Sequence, residues 1–124
     1  MIHAFSRSEL LLGTEALETL RRSRVAVFGV GGVGGYAVEA LARSGVGELH
    51  LVDNDTVSLT NINRQIIALH STVGRAKVDV MRERVLDINP DCRVFTYNTF
   101  FTPETAGDFD FTRFDYVVDV IDTV

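Results

Sequence analysis

The chain has 124 residues, with 12 basic and 17 acidic side chains and a formal net charge of −5. This length fits a single domain, and the negative charge argues against a chain built to coat nucleic acid. The apolar fraction of 46% is sufficient for a buried core and argues against disorder. The sequence has no apolar run of the roughly 18 residues that a membrane helix needs, and its first residues carry charges where a signal peptide would be apolar. We therefore expect a cytoplasmic protein.

The charge is unevenly distributed along the chain. Residues 60–93 carry six basic and four acidic side chains, whereas residues 94–124 carry one basic and six acidic side chains. A basic window therefore lies within an acidic protein.

Short runs rich in β-branched residues alternate with helical patterns, which predicts repeated βα units around a mainly parallel sheet. The predicted strands span residues 24–28, 48–53, 93–97 and 116–121. The predicted helices span residues 8–22 with an interruption at Gly13, then 34–44 and 77–88, and a short helix begins near residue 102. We expect a Rossmann-like α/β fold with helices on both faces of the sheet, preceded by an N-terminal helical segment.

The predicted sheet has few strands for this architecture. An open doubly wound sheet commonly has about six strands, whereas the sequence predicts four. The last predicted strand is apolar and would need helical cover on both faces. We find no repeat or linker, and we expect residues 1–124 to be the N-terminal half of one larger domain.

A glycine-rich loop directly follows the first predicted strand and opens the next helix. Gly29, Gly31 and Gly34 match the G-x-G-x-x-G fingerprint of nucleotide-binding folds, with Gly32 inside the loop. The glycines permit a tight turn, close approach of the backbone to phosphate, and close packing of the helix on the strand. Asp53 lies 24 positions after Gly29, where an acidic side chain can accept hydrogen bonds from ribose hydroxyls.

The polar segment after the second strand bears on which nucleotide is bound. A nicotinamide dehydrogenase would account for the glycines and Asp53, but it leaves Asp55, Arg64 and Lys77 unexplained. A triphosphate that is attacked at its α-phosphorus needs cations on its β and γ oxygens and a carboxylate that holds magnesium. Arg64 and Lys77 fit the first task. On spacing alone both can also be simple solvated cations, so the nicotinamide alternative stays open.

The acidic C-terminal end supplies carboxylates for a metal. Asp119 and Asp122 are the candidate magnesium ligands.

Four segments resemble the adenylating domain shared by ThiF, MoeB and the ubiquitin-activating enzymes. They are VFGVGGVGG (27–35), LARSGVGELHLVDNDTVSLTNINRQ (41–65), VGRAKVDVMRERVLDINPDC (73–92) and YVVDVIDTV (116–124). Residues 6–29, the LARSGVG turn and the DNDTVSLTNINRQ segment resemble, within that superfamily, the tRNA threonylcarbamoyladenosine dehydratase branch. The resemblance covers essentially the whole chain in the same order.

The resemblance implies ATP as the nucleotide and assigns a role to several residues. Gly32 falls on the glycine that contacts ATP phosphate, and Asp53 falls on the aspartate that binds ribose. Asn61 and Arg64 fall on the asparagine and arginine that hold the triphosphate, and Lys77 falls on the nucleotide-binding lysine. We also place Asp55 in the nucleotide site.

Two further residues are assigned by resemblance. Asp122 falls on the aspartate associated with Mg²⁺ and adenylation, and the Thr123 that follows it agrees with the dehydratase branch. Arg7 aligns with an arginine that reaches the ATP of the neighbouring subunit, which implies a homodimer. The predicted catalytic residues are thus Arg64, Asp122 and Arg7.

The activity implied is ATP-dependent adenylation of a carboxylate, here that of threonylcarbamoyladenosine in tRNA, followed by cyclisation with loss of AMP. The alternative is adenylation of a ubiquitin-like sulfur-carrier protein, with sulfur-transfer proteins as partners. A nicotinamide-dependent oxidoreductase and a binding or dimerisation module without turnover are the remaining possibilities. We expect the 124 residues alone to be inactive, with tRNA meeting mainly the rest of the protein.

Cys92 is the single cysteine of the chain. It can form no intrachain disulfide and has no nearby cysteine or histidine pair for a zinc site. We predict a small packed residue rather than a nucleophile.

Overall fold

The predicted alternation of strands and helices is present in the computed structural model, which describes residues 3–99 and 110–121. Two short helices come first, α1 (Ser6–Leu12) and α2 (Thr14–Arg22). They are followed by β1 (Arg24–Phe28), α3 (Gly32–Arg43), β2 (Glu48–Val52), α4 (Lys77–Ile88), β3 (Arg93–Tyr97) and β4 (Tyr116–Asp119). Two 3-10 turns, Leu59–Asn61 and Phe111–Arg113, lie between these elements.

The four described strands form one parallel sheet in the order β3-β2-β1-β4. The first strand therefore lies in the interior of the sheet, with β2 on one side and β4 on the other. In the register of the sheet, Phe28 is opposite both Val52 and Asp119. Because all strands run the same way, the loops after β1, β2 and β4 emerge at one edge of the sheet, where ligands bind in open α/β folds.

The two longer helices cover one face of the sheet. Val25 and Val27 of β1 and Leu49 and Leu51 of β2 point to this face and are at most 3% exposed. They pack with apolar residues of α3 and α4, namely Val38, Ala42, Val78, Met81 and Val85. Complete burial of such a side chain stabilises the fold by about 1.5–3 kcal/mol.

The opposite face of the sheet carries a buried histidine. His50 is 1% exposed; its Nε2 lies 2.7 Å from Glu48 Oε2, and its Nδ1 lies 2.9 Å from the Tyr97 hydroxyl. Because a carboxylate only accepts, Nε2–H donates to Glu48. The ring also stacks on Phe95, with centroids 4.8 Å apart, and Phe114 meets it edge-on. His50 therefore has hydrogen-bond partners on both ring nitrogens and has a structural role in the core.

Several element boundaries differ from the prediction by one or two residues. The first helix begins at Ser6 rather than at 8, and α3 ends at Arg43 rather than at 44. The second strand ends at Val52, one residue early, and α3 begins at Gly32 rather than at 34. The fourth strand ends at Asp119 rather than at 121, and it lies at the edge of the described part of the sheet, with Tyr116 70% exposed and Val117 43% exposed. The predicted short helix near residue 102 lies outside the described residues.

None of the helices in the described part of the chain has the length and apolarity needed to cross a membrane.

Candidate functional site

A cleft of about 760 Å³ lies at the carboxyl edge of the sheet. Its walls are the glycine loop after β1, the segment that follows β2, the start of α4, and the residues after β4. Eight of the sequence-predicted site residues line it: Gly29, Gly31, Gly32, Asp53, Asp55, Asn61, Arg64 and Lys77. The fold thus brings together residues that are up to 48 positions apart, from Gly29 to Lys77.

The glycine loop requires its glycines for different reasons. Gly29 has a positive φ of 94°, and a Cβ there would lie 2.8 Å from the Val120 carbonyl oxygen. A Cβ on Gly34 would lie 1.6 Å from the Gly29 carbonyl oxygen, so no side chain fits between α3 and the loop. Gly34 is buried and does not line the cleft. Gly34 therefore allows α3 to pack closely on the loop, and we expect it to make no direct contact with a nucleotide.

The N-terminus of α3 faces the cleft. The helix begins at Gly32, which lines the cleft, after the N-cap residue Gly31, and no side chain of the described residues caps it. The first backbone N–H groups of a helix lack partners within the helix and carry the positive end of its dipole. This geometry favours an anion such as phosphate.

Asp53 connects the end of β2 to the glycine loop. Its Oδ2 accepts a hydrogen bond from Val30 N–H at 2.9 Å, and its Oδ1 accepts one from Asp55 N–H at 2.8 Å. A carboxylate oxygen can accept more than one hydrogen bond. The carboxylate is therefore fixed in place and can still accept hydrogen bonds from ribose hydroxyls.

Lys77 is the first residue of α4 and is only 6% exposed. Its Nζ lies 3.8 Å from Asp55 Oδ2, and its backbone N–H donates to the Asp55 carbonyl oxygen at 3.0 Å. A buried ammonium group needs an anionic partner because burial removes its hydration. The Asp55 side chain is 64% exposed, so Lys77 has a weakly held counter-ion that phosphate oxygens can replace.

Asn61 ends the Leu59–Asn61 helix, and Arg64 belongs to the turn that follows it. Asn61 Oδ1 accepts from Ser58 N–H at 2.9 Å, which leaves the amide N–H groups of Asn61 as donors for a ligand. Arg64 is exposed, and its Nη1 donates to the Thr60 carbonyl oxygen at 3.0 Å and to Asn63 Oδ1 at 2.9 Å. The guanidinium group is thus held against its own turn at the wall of the cleft.

Gln65 also lines the cleft, although it is not among the predicted site residues. Its Oε1 is buried and has no hydrogen-bond partner among the described residues. The only sequence signal for it is its place next to Arg64 in a polar run, which does not distinguish it from a solvated amide.

The structure does not bring Arg7 to the cleft. Arg7 lies in α1, which follows Phe5, and the Phe5 ring packs over Gly45 in the loop that leads into β2. This loop is at the amino edge of the sheet, opposite the cleft. Arg7 is therefore not part of the described cleft of its own chain.

Of the two predicted magnesium ligands, only Asp119 is among the described residues. Asp119 ends β4, its Oδ1 accepts from Ile121 N–H at 3.3 Å, and it does not line the cleft. Asp122 lies outside the described residues. Within residues 3–99 and 110–121, no three His, Cys, Asp or Glu side chains are grouped in a way that could hold a metal ion.

Cys92 is 4% exposed, and its burial raises the pKa of the thiol from 9.0 to about 11. A thiol with a raised pKa carries little thiolate at neutral pH and is a poor nucleophile. The structure agrees with the prediction of a packed residue.

Comparison with known proteins places this fold and cleft in a family. Residues 5–124 match the ThiF family. The chain is 57% identical over 124 residues to a tRNA threonylcarbamoyladenosine dehydratase of Bacillus subtilis (strain 168), covering 100% of this chain and 49% of that protein. It is 37% identical over 125 residues to an adenylyltransferase and sulfurtransferase MOCS3 of Culex quinquefasciatus, covering 99% of this chain and 28% of that protein.

A solved structure is similar over nearly the whole chain. The crystal structure of E. coli tRNA N6-threonylcarbamoyladenosine dehydratase in complex with ATP superposes with a TM-score of 0.94 at 45% identity, over 98% of this chain and 50% of that one. The chain thus spans about half the length of the curated dehydratases that it matches. On the family match and the shared fold together, the chain belongs to the ThiF family.

Proposed function

We propose that this chain is the ATP-binding half of a tRNA threonylcarbamoyladenosine dehydratase. The observation that carries the proposal is the cleft itself, which combines the glycine loop, Asp53 and Lys77. It occurs in a chain that is 57% identical to a tRNA threonylcarbamoyladenosine dehydratase and 37% identical to an adenylyltransferase and sulfurtransferase.

The described contacts support a particular placement of ATP. The ribose hydroxyls donate to Asp53, and the phosphates lie at Gly32 and the N-terminus of α3. Lys77 and Arg64 then neutralise the β- and γ-phosphates, with Lys77 exchanging Asp55 for phosphate oxygens. Arg64 is free to turn because its present partners are an exposed carbonyl oxygen and an exposed amide. Its planar group suits bidentate binding of phosphate, whereas Lys77 supplies a compact charge.

The proposed reaction converts a carboxylate, which is a poor electrophile, into an acyl adenylate. A carboxylate oxygen of threonylcarbamoyladenosine attacks the α-phosphorus of ATP, and the bond to the β-phosphate breaks to release pyrophosphate. A nucleophilic atom of the same modified nucleoside then attacks the activated carbonyl carbon, and AMP leaves with the former carboxylate oxygen. The nucleophilic atom loses its proton as the ring closes, so the modified nucleoside, counted in its acid form, loses one oxygen and two hydrogens, which is a dehydration. Fixed cations at the phosphates stabilise the charge that develops on the leaving pyrophosphate.

Mg²⁺ is part of the proposal through Asp122. Magnesium is commonly held by one or two carboxylates together with substrate phosphates, so a cluster of three acidic side chains is not needed. When bound, Mg²⁺ would neutralise phosphate charge beside Lys77 and Arg64.

We further propose a cytoplasmic homodimer in which Arg7 reaches the ATP of the neighbouring subunit. The position of Arg7 at the edge of the sheet opposite its own cleft is compatible with a role in the partner's site. The adjacent leucines of α1 are exposed for a contact with a second subunit, Leu10 by 87% and Leu11 by 86%.

Calorimetric titration of the purified chain with ATP and with NADH tests the nucleotide part of the proposal. We expect saturable binding of ATP and no comparable binding of NADH. Tight NADH binding without ATP binding would instead support an oxidoreductase.

A further inference from the structure

The backbone of Gln65 is held beside the glycine loop by two hydrogen bonds. Its backbone N–H donates to the Asn61 carbonyl oxygen at 2.8 Å, and its carbonyl oxygen accepts from Ala68 N–H at 3.0 Å. A Cβ built on Gly31 would lie 2.8 Å from Gln65 Oε1 and 3.0 Å from Lys77 Nζ. The ends of the Gln65 and Lys77 side chains therefore converge on the same point of the loop.

The amide of Gln65 has an unusual environment. Its Oε1 is buried, and it is the one buried side-chain oxygen or nitrogen in the described part of the chain that has no hydrogen-bond partner. Buried polar atoms in native proteins almost always have partners, so an orphaned one indicates a functional constraint. Gln65 lines the cleft together with Lys77 and Arg64, so the functional constraint on its amide comes from the cleft.

The chemistry of the Gln65 amide indicates which kind of ligand would form hydrogen bonds with it. A half-turn about the last side-chain bond exchanges Oε1 with the NH₂ group, because the two ends of the amide have nearly the same shape. The NH₂ group then takes the place of the orphaned oxygen and offers two donors beside the ammonium of Lys77. An anion is the ligand that accepts from both, and a neutral amide adds a donor without repelling the lysine.

We propose that Gln65 is a phosphate-binding residue of the nucleotide site, and that its amide NH₂ and Lys77 Nζ bind phosphate oxygens side by side against Gly31. This inference rests on the proposed ATP function of the cleft. It predicts that Gln65 discriminates nucleotides by their phosphates and has no effect on the nucleoside.

The test compares the purified chain with two variants of equal charge change. Gln65→Glu keeps the size of the side chain but replaces the donor by a carboxylate, which accepts only. Asn98→Asp adds the same charge at an exposed residue that does not line the cleft, one position before Thr99, which does. Each protein is titrated calorimetrically with ATP and with adenosine, and circular dichroism checks that it is folded.

We expect Gln65→Glu to weaken ATP binding by about tenfold or more, because it places a negative charge against phosphate. Adenosine binding should change by less than about threefold, and Asn98→Asp should change neither affinity by more than that. An equal loss for ATP and adenosine would reduce Gln65 to a structural role, and an unchanged ATP affinity would overturn the inference outright.

The same data distinguish this inference from the proposed function. If the unmodified chain binds ATP and Gln65→Glu binds it equally well, Gln65 is not a phosphate ligand but the ATP site stands. If the unmodified chain binds no ATP, both proposals fail. Should Gln65→Glu not fold, Gln65→Met is titrated instead; it removes the donor without adding charge, and the same preferential loss of ATP over adenosine is expected.

Discussion

Asp53 Oδ2 accepts a hydrogen bond from the backbone N–H of Val30 at 2.9 Å, across 23 positions of the chain. The residue predicted to bind ribose therefore also holds the glycine loop in place. Since a hydrogen bond to a charged group contributes about 1.5–3 kcal/mol, the ligand site and the stability of the loop are coupled through this carboxylate.

This coupling gives two effects for Asp53→Ala. The apparent Michaelis constant for ATP should rise while turnover changes little, because ribose contacts are the same in the ground and transition states. The free energy of unfolding should also fall by about 1–3 kcal/mol, since Val30 N–H loses its acceptor. Steady-state kinetics of the protein extended to the length of its relatives measure the first effect, and urea denaturation measures the second. A loss of turnover with an unchanged Michaelis constant would contradict the ribose assignment.

Arg64→Ala should have the opposite kinetic profile. Arg64 is exposed and contacts only its own turn, so the fold should keep its stability to within about 0.5 kcal/mol. Turnover should fall by about 10²- to 10³-fold if Arg64 stabilises charge in the transition state. Release of AMP is measured in the protein extended to the length of its relatives. AMP release near the normal rate would refute the role of Arg64.

Two substitutions in the glycine loop separate the packing of α3 from the binding of the nucleotide. Gly34→Ala should prevent stable folding, because its Cβ would lie 1.6 Å from the Gly29 carbonyl oxygen. Gly31→Ala should remain folded, since its φ of −85° suits any residue and its Cβ meets the movable ends of Gln65 and Lys77. Its ATP affinity should nevertheless fall. Thermal unfolding and calorimetry of both variants test this, and a Gly34→Ala protein of normal stability would contradict the close packing of α3.

The raised pKa of Cys92 predicts a pH dependence in the alkaline range. The folded protein has a thiol pKa of about 11 against an ordinary value of 9.0. The unfolded chain therefore loses its thiol proton first. The contribution to stability is complete below pH 9.0 and is lost as the pH rises towards about 11.

The control for this prediction is Cys92→Ala, which removes the thiol and keeps every other titrating group. The difference in unfolding free energy between the two proteins should narrow between pH 9 and pH 11. The native thiol should also react slowly with iodoacetamide at pH 7. Rapid alkylation of the folded protein, or a constant difference across this pH range, would show that the thiol is accessible.

The sequence was sufficient to predict the βα order and that most of the predicted site residues lie together in one cleft. The reason is that the glycine loop and Asp53 occupy fixed places after adjacent parallel strands, so their spacing along the chain implies their proximity in space. The same reasoning placed Lys77 correctly, because the start of α4 returns to the same edge of the sheet.

Other features of the structure cannot be predicted from the spacing of residues along the chain. The orphaned Oε1 of Gln65 depends on the side-chain packing around Gly31, which residue spacing does not encode. The fingerprint assigns Gly34 to close packing of the helix on the strand, but it does not indicate whether Gly34 also lines the cleft, which the structure shows it does not.

The central claim is that this chain contributes the ATP site of an enzyme that activates a carboxylate of modified tRNA. The most direct measurement follows conversion of ATP to AMP and pyrophosphate by the protein extended to the length of its dehydratase relatives. We predict equal amounts of AMP and pyrophosphate with tRNA that carries threonylcarbamoyladenosine, and none with unmodified tRNA. The absence of tRNA-dependent AMP, or AMP formation that depends on a ubiquitin-like carrier protein instead, would contradict the account.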